Sequence, residues 1–274
     1  MKKLLLCGLS AVLLAGCGEK QEGGQQPSED QSVLRTVALD TEYEVNMPDS
    51  LKFDTASCYF YDLDVFVNWP ETIEGRTPEG LQSVLVEKAF GPEMKGKTLE
   101  EAMSAVQSCV PGMEDMNGVT LAEADSIPSG EAGMRTTSLK VEVYPCYASA
   151  SVYTYFISRY FYPAGAAHGV GKEYYVNYDP SEDKVVGLGM LFDNITELKR
   201  MIDMELSKQQ AGTGFLLVDE IPNPENFYVD GYSITFVFNP YEVAAYAAGV
   251  VEVKIPAYEL EGYMTDYGRE LFGY

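Results

Sequence analysis

Apolar and polar residues alternate from Cys58 to Trp69. Tyr59, Tyr61, Leu63, Val65, Val67 and Trp69 fall on one side, and Asp62, Asp64 and Asn68 on the other. That period predicts a strand with one buried face, closed by Pro70. The spacing then lengthens to that of a helix, with Leu81, Val84, Leu85 and Lys88 in register, Thr77 placed to cap, Pro78 in the first turn and Gly91-Pro92 as the stop. A second helix opens on the capping box Thr98-x-x-Glu101 and gathers Leu99, Ala102, Met103 and Val106 on one side.

Residues Gly112 to Gly133 mix Gly, Pro, Asp and Glu without a sustained period, which predicts a surface loop and a boundary. Strands dominate beyond it: Leu139–Val143, Val152–Tyr162, Lys172–Tyr178, Ser233–Phe238 and Val250–Ile255. Asn194-x-x-Glu197 opens a helix through Leu198, Met201, Ile202 and Glu205 towards Gly212. A short helix follows Asn239-Pro240, capped by Glu242 and stopped by Gly249, and Tyr258–Leu271 forms a last helix. This order predicts an α+β fold, a mainly antiparallel sheet with packed helices.

The first sixteen residues hold Lys2 and Lys3, an apolar run from Leu4 to Leu14 that is too short to span a bilayer, and then Leu14-Ala15-Gly16 before Cys17. This layout resembles a bacterial lipobox, in which the cysteine thiol takes a diacylglycerol and the peptide is cut just before it. Two or more acyl chains make a stable anchor, at about 0.8 kcal/mol per buried methylene. Residues 1–16 are thus expected to be a signal peptide, and 17–32 the lipidated Cys17 with a tether of Gly, Gln, Glu, Ser and Pro. Such a tether reaches on the order of 20 Å. Gly18 after the cysteine, by analogy with proteobacterial sorting, directs the expectation to the outer membrane, periplasmic or surface-exposed.

Without Lys2 and Lys3 the 19 basic residues become 17 against 42 acidic ones, a net charge of −25. That excludes nucleic acid as a partner and favours solubility and encounters with basic molecules. Cys58, Cys109 and Cys146 remain in the folded part, which leaves three pairings open, or none. No Cys-x-x-Cys occurs, so no metal set is expected, and the glycines lack Rossmann or Walker spacing, so no cofactor is expected either.

His168, the single histidine, sits in a Gly/Ala-rich connection between strands, where its imidazole is expected to bond loop backbone or meet a ligand. No catalytic partner stands at a recognisable spacing. Asp62 with Asp64, and Asp179 with Glu182 and Asp183, read as solvated acids; counted from Asn177 they fail the EF-hand pattern. Tyr153, Tyr155, Tyr174 and Tyr175 suit either sheet packing or an exposed recognition face.

Three blocks carry a resemblance. Tyr162-Pro163-Ala164-Gly165-Ala166-Ala167-His168-Gly169 leads to Tyr175-Val176-Asn177-Tyr178-Asp179 and Gly189-Met190-Leu191-Phe192. Asn226-Phe227-Tyr228 leads to Ile234-Thr235-Phe236 and Asn239 through Gly249. Last comes Val251 through Leu260. Over Leu139 to Met264 the chain resembles the C-terminal domain of RsiV-like extracytoplasmic proteins, also an accessory domain of PdaC-type polysaccharide deacetylases. The resemblance implies an N-terminal α+β subdomain at 33–135 and the RsiV-like domain at 136–274. Anchor, tether, acidity and these blocks together lead to the expectation of a lipid-anchored envelope module that binds a basic protein such as lysozyme or a cell-wall glycan, with His168, Gly165, Gly169, Tyr175 and Asp179 as candidate ligand-binding residues. The alternative is an envelope hydrolase acting on peptidoglycan or glycan through His168 or a carboxylate pair.

Overall fold

The computed structural model describes residues 32–45, 59–108, 118–120, 133–148, 151–209, 217–218 and 220–274. The expected signal peptide, Cys17 and its tether up to residue 31, and also Cys58 and Cys109, lie outside the described residues. Strands β1 (Val33–Val45) and β2 (Tyr59–Thr72) are followed by helices α1 (Glu79–Phe90) and α2 (Leu99–Ser108). Strands β3 (Gly118–Thr120), β4 (Thr136–Ala148), β5 (Tyr153–Tyr162), β6 (Val170–Asp179) and β7 (Lys184–Val185) come next. Together the strands form one seven-stranded sheet in the order β3-β1-β2-β4-β5-β6-β7. Its neighbours are antiparallel except β2 and β4, which run parallel because the two helices carry the chain back between them.

The alternation in β2 is what seats these helices. Tyr59, Tyr61, Leu63, Val65 and Val67 point to the same side as Leu139, Val141 and Val143 of β4 and Tyr155 and Ile157 of β5. They pack with Leu81, Leu85 and Phe90 of α1 and Leu99, Ala102 and Val106 of α2. Each such side chain contributes about 1.5–3 kcal/mol on burial. Pairing along Phe60–Val67 and Thr136–Val143 carries this sheet and its core across residue 135, the expected domain boundary.

A second core lies further along the chain, built from α3 (Leu188–Leu191), α4 (Ile195–Gln209), α5 (Ala257–Leu260), α6 (Asp266–Phe272) and a three-stranded sheet. That sheet has the order β10 (Val251–Pro256), β9 (Ser233–Phe238), β8 (Phe227–Val229). All six residues of β9 are buried, because the strand is central and covered on both faces. No helix among the described residues is long and apolar enough to cross a membrane.

Several local expectations shift. Pro70 does not close β2, which runs on to Thr72 beside β1; a proline is tolerated where its missing N–H breaks no needed ladder bond. Thr77 does not cap α1, for the N-cap position falls on Pro78 with no side-chain bond. The capping box of α2 is present, with Thr98 N–H donating to Glu101 Oε2 at 2.8 Å and Glu101 N–H to Thr98 Oγ1 at 3.2 Å. Within the expected loop at 112–133, Gly118–Thr120 forms β3 against β1. After Asn239-Pro240 there is a tight turn and a 3-10 turn at Tyr246–Ala248, not one helix. The expected tail helix is broken at Met264, so that Thr265 caps α6 by accepting from Gly268 N–H.

Candidate binding surface

One face of the large sheet is covered by α1 and α2. On the other, the register sets three aromatic residues side by side: Tyr144 on β4 lies opposite Phe156 on β5, which lies opposite Tyr175 on β6. Their ring centroids are 5.1 and 5.2 Å apart. Tyr228 of β8 stands 4.6 Å from Tyr175, and Tyr147 stacks on Tyr228 at 5.3 Å. Residues 144 and 147 of a regular strand would point to opposite faces; a bulge between Pro145 and Tyr147 turns Tyr147 back to this one. The result is a ladder of five rings, half-buried at its centre, with Tyr147 44% exposed at its end.

Carboxylates border the ladder. Glu142, Ser158 and Glu173 form the next cross-strand row. Burial, then Glu173 and Glu252 together with Tyr228 and Cys146, raise the Tyr175 hydroxyl well above the usual phenol range. The Glu173 carboxyl is itself raised, by burial first and then by Glu252. Facing rings of negative quadrupole and closely set carboxylates make this surface electron-rich, suited to a cationic side chain or to the hydroxyls and apolar faces of a sugar. Nearby Cys146 is a free thiol, half-buried, donating to Thr154 O at 3.4 Å, and burial raises it to about 11, so it is not a reactive thiolate at neutral pH.

Sequence reasoning missed what joins this face to the second sheet. The outer edge of β6 is paired with β7 only at Tyr178 and Asp179. Above them two asparagine side chains stand in for a strand. Glu173 N–H donates to Asn239 Oδ1 at 2.6 Å, Tyr175 N–H donates to Asn226 Oδ1 at 2.9 Å, and both amide nitrogens donate to Glu173 O, at 2.8 Å from Asn226 and 3.0 Å from Asn239. Asn177 continues the seam, donating to Phe227 O at 2.8 Å while accepting from Thr154. An amide carries both an acceptor and a donor, so it mimics the peptide unit that the edge lacks.

The five sequence-predicted residues are not brought to one point. Gly165, His168 and Gly169 sit in the β5–β6 connection, Tyr175 lies at mid-strand, and Asp179 at the far end of β6, about 33 Å from Gly169 at about 3.3 Å per residue. Gly165 takes a positive φ of 76°, and a Cβ at Gly169 would run into the Tyr160 phenol. The Gly169 carbonyl accepts from Tyr246 OH at 2.9 Å and lies 3.0 Å from His168 Nδ1. A carbonyl only accepts, so Nδ1 is the donor in this contact. The imidazole stacks on Tyr246 at 4.0 Å, and Tyr246 on the exposed Tyr241 at 5.7 Å.

Asp179 is not a solvated acid: it is 4% exposed. Its Oδ1 accepts from Ser181 N–H and Oγ and from Glu182 N–H, and its Oδ2 from Tyr267 OH of α6 at 2.8 Å. Burial alone would raise its pKa, but the Ser181 and Tyr267 hydroxyls and the two N–H groups outweigh that and hold it below the usual carboxylate value. Asp183 accepts from Tyr178 OH at 2.7 Å, and Asp64 meets Lys140 at 3.6 Å. Among the described residues no three His, Cys, Asp or Glu side chains converge as for a metal ion.

With this geometry in hand, comparison with known proteins is informative about the second sheet. Residues 189–258 match the model of a family described as a protein of unknown function, DUF3298. The matched stretch includes α4, Asn226, Tyr228, Asn239, Tyr241 and Tyr246, so it supplies both edge-binding amides and one ring of the ladder. The fold is similar to two solved DUF3298 structures. One, from Bacteroides fragilis, has a TM-score of 0.59 and 18% identity, over 88% of this chain and 97% of that one. The other, from Pseudomonas aeruginosa, has a TM-score of 0.51 and 19% identity, over 87% and 96%. At such identities the likeness shows the fold alone. No curated protein matches the chain.

Proposed function

We propose that this protein is a lipid-anchored binding module of the cell envelope, held through Cys17 on its tether and presenting the aromatic face of its large sheet to a basic protein or a cell-wall glycan. The observation that carries the reading is the ladder Tyr144–Phe156–Tyr175–Tyr228–Tyr147 with Glu142, Glu173 and Glu252 beside it. Tyrosine rings give large, rigid contact area for little lost conformational entropy, and hydroxyls serve the polar part of a ligand. The charge of −23 over the whole sequence adds attraction for basic partners.

The likeness of the three sequence blocks to RsiV-like domains supports the same reading, since those include an extracytoplasmic receptor for lysozyme. A lipid anchor and a polar tether suit a module that works at a membrane surface without spanning it. The reading is tested by titrating the protein with a basic c-type lysozyme at low and high salt, and separately with soluble peptidoglycan fragments. Saturable binding that survives high salt supports it; no binding to either class refutes it.

A further inference from the structure

The covered face of the large sheet holds an anomaly at the opposite side from the ladder. Arg159 on β5 and Lys172 on β6 are direct cross-strand partners, which sets two like charges side by side. Such a pair is unfavourable by itself. Tyr174, two residues along on the same face, carries Lys88 of α1 above its ring at 5.4 Å, and Arg159 is near enough to act on its hydroxyl. Three cations therefore surround one tyrosine.

None of the three has an ion pair among the described residues, although nine other basic side chains do and the chain offers 42 acids. Arg159 Nε is buried with no hydrogen-bond partner, a group that costs about 1–3 kcal/mol to leave unsatisfied. Lys88 and Tyr174 also line a cleft of about 320 Å³ between the end of α1, the edge of β6 and the segment Pro222–Asn226, whose wall includes Tyr175. The acids facing it are Glu225 and Glu242; Glu242 Oε2 already accepts from Asn239 N–H.

We infer that Lys88, Arg159 and Lys172, gathered about Tyr174, form an oxyanion site that takes a carboxylate or phosphate group of a ligand. An oxyanion would relieve the Arg159–Lys172 repulsion and accept from the orphaned Nε, and guanidinium with two ammonium groups matches its geometry and charge. The cations lie on the other face of the sheet from the aromatic ladder, and Lys172→Gln leaves the ladder rings in place, so the two readings are tested separately.

The test is thermal unfolding of the full chain in inorganic phosphate, in acetate and in chloride at matched ionic strength. Phosphate or acetate raises Tm by roughly 3 °C or more over chloride, the size expected when ligand exceeds Kd about tenfold for a chain this long. The stronger of the two identifies the group. Lys172→Gln removes that rise and in chloride melts no lower than wild type, because the repulsion is gone; Lys88→Gln reduces the rise. Equal melting in all three salts, or a rise that Lys172→Gln retains in full, overturns the site.

Discussion

Asn239→Ala is the most informative perturbation of the fold, because Asn239 replaces a strand. The side chain is 1% exposed and makes two of the four amide bonds that hold the edge of β6. Its loss orphans Glu173 N–H, a half-buried donor, at about 1–2 kcal/mol. It also removes one of two donors from Glu173 O, which costs less, roughly 0.5–1 kcal/mol, since Asn226 still donates at 2.8 Å. The total is about 1.5–3 kcal/mol, or a fall in Tm of roughly 3–12 °C for a chain of this length. Urea unfolding suits the measurement, because Trp69, the single tryptophan, is buried in the first core and its fluorescence reports that core alone, whereas circular dichroism reports both. The two transitions should coincide in the wild type and separate in the variant. Asn226→Ala with Asn239→Ala should cost about 1 kcal/mol more than the sum of the singles, because only the double variant strips Glu173 O of both donors. A cost below about 1 kcal/mol for Asn239→Ala, with the transitions still coincident, would refute the claim that the amides stand in for a strand.

Two further outcomes follow from local chemistry. Asp230 accepts from Lys254 Nζ at 2.7 Å, Ser233 Oγ and N–H at 2.8 Å each, and Tyr232 N–H at 3.0 Å; although burial opposes it, these lower its pKa from 3.8 to about 2. A carboxylate lowered on folding stabilises above its unfolded pKa and loses that contribution as pH falls from about 3.8 through about 2, so wild type should lose up to about 2 kcal/mol over this window that Asp230→Asn does not, read as Tm against pH. Thr98→Ala breaks the capping box of α2 and should cost about 1 kcal/mol in urea unfolding, with Thr98→Ser restoring most of it.

The elements were legible where one period held for long enough. The alternation in β2 named its buried face correctly, and Ser233–Phe238 was found to the residue, because a short apolar run between turn signals has few other readings. β1 is not predicted, because the alternation of Val37, Leu39 and Thr41 with Ala38, Asp40 and Glu42 sets few strongly apolar residues on one face and runs straight out of the polar tether. The spacing of Tyr258–Leu271 is helical throughout and predicts one helix, and only the cap formed by Thr265 shows where the chain restarts. Of the site, Tyr175 was named from sequence, but its partners were not. Tyr144, Phe156 and Tyr228 come together through register and a bulge, which depend on long-range pairing rather than local pattern. Asn226 and Asn239 were visible as parts of a resemblance, and nothing local marks a side chain that completes a distant strand. Asp179 looked solvated because its partners lie partly on α6, 88 residues away.

Titration of the full chain with a basic c-type lysozyme at low and high salt, repeated with Tyr175→Ala and Tyr228→Ala, tests the binding face most directly. The account predicts micromolar or tighter binding that persists at high salt and weakens at least tenfold, about 1.4 kcal/mol, in each folded variant, or the same pattern with peptidoglycan fragments as the ligand. Variants that bind either ligand as tightly as wild type, or binding by the wild type that vanishes at high salt with no glycan affinity beside it, would contradict it.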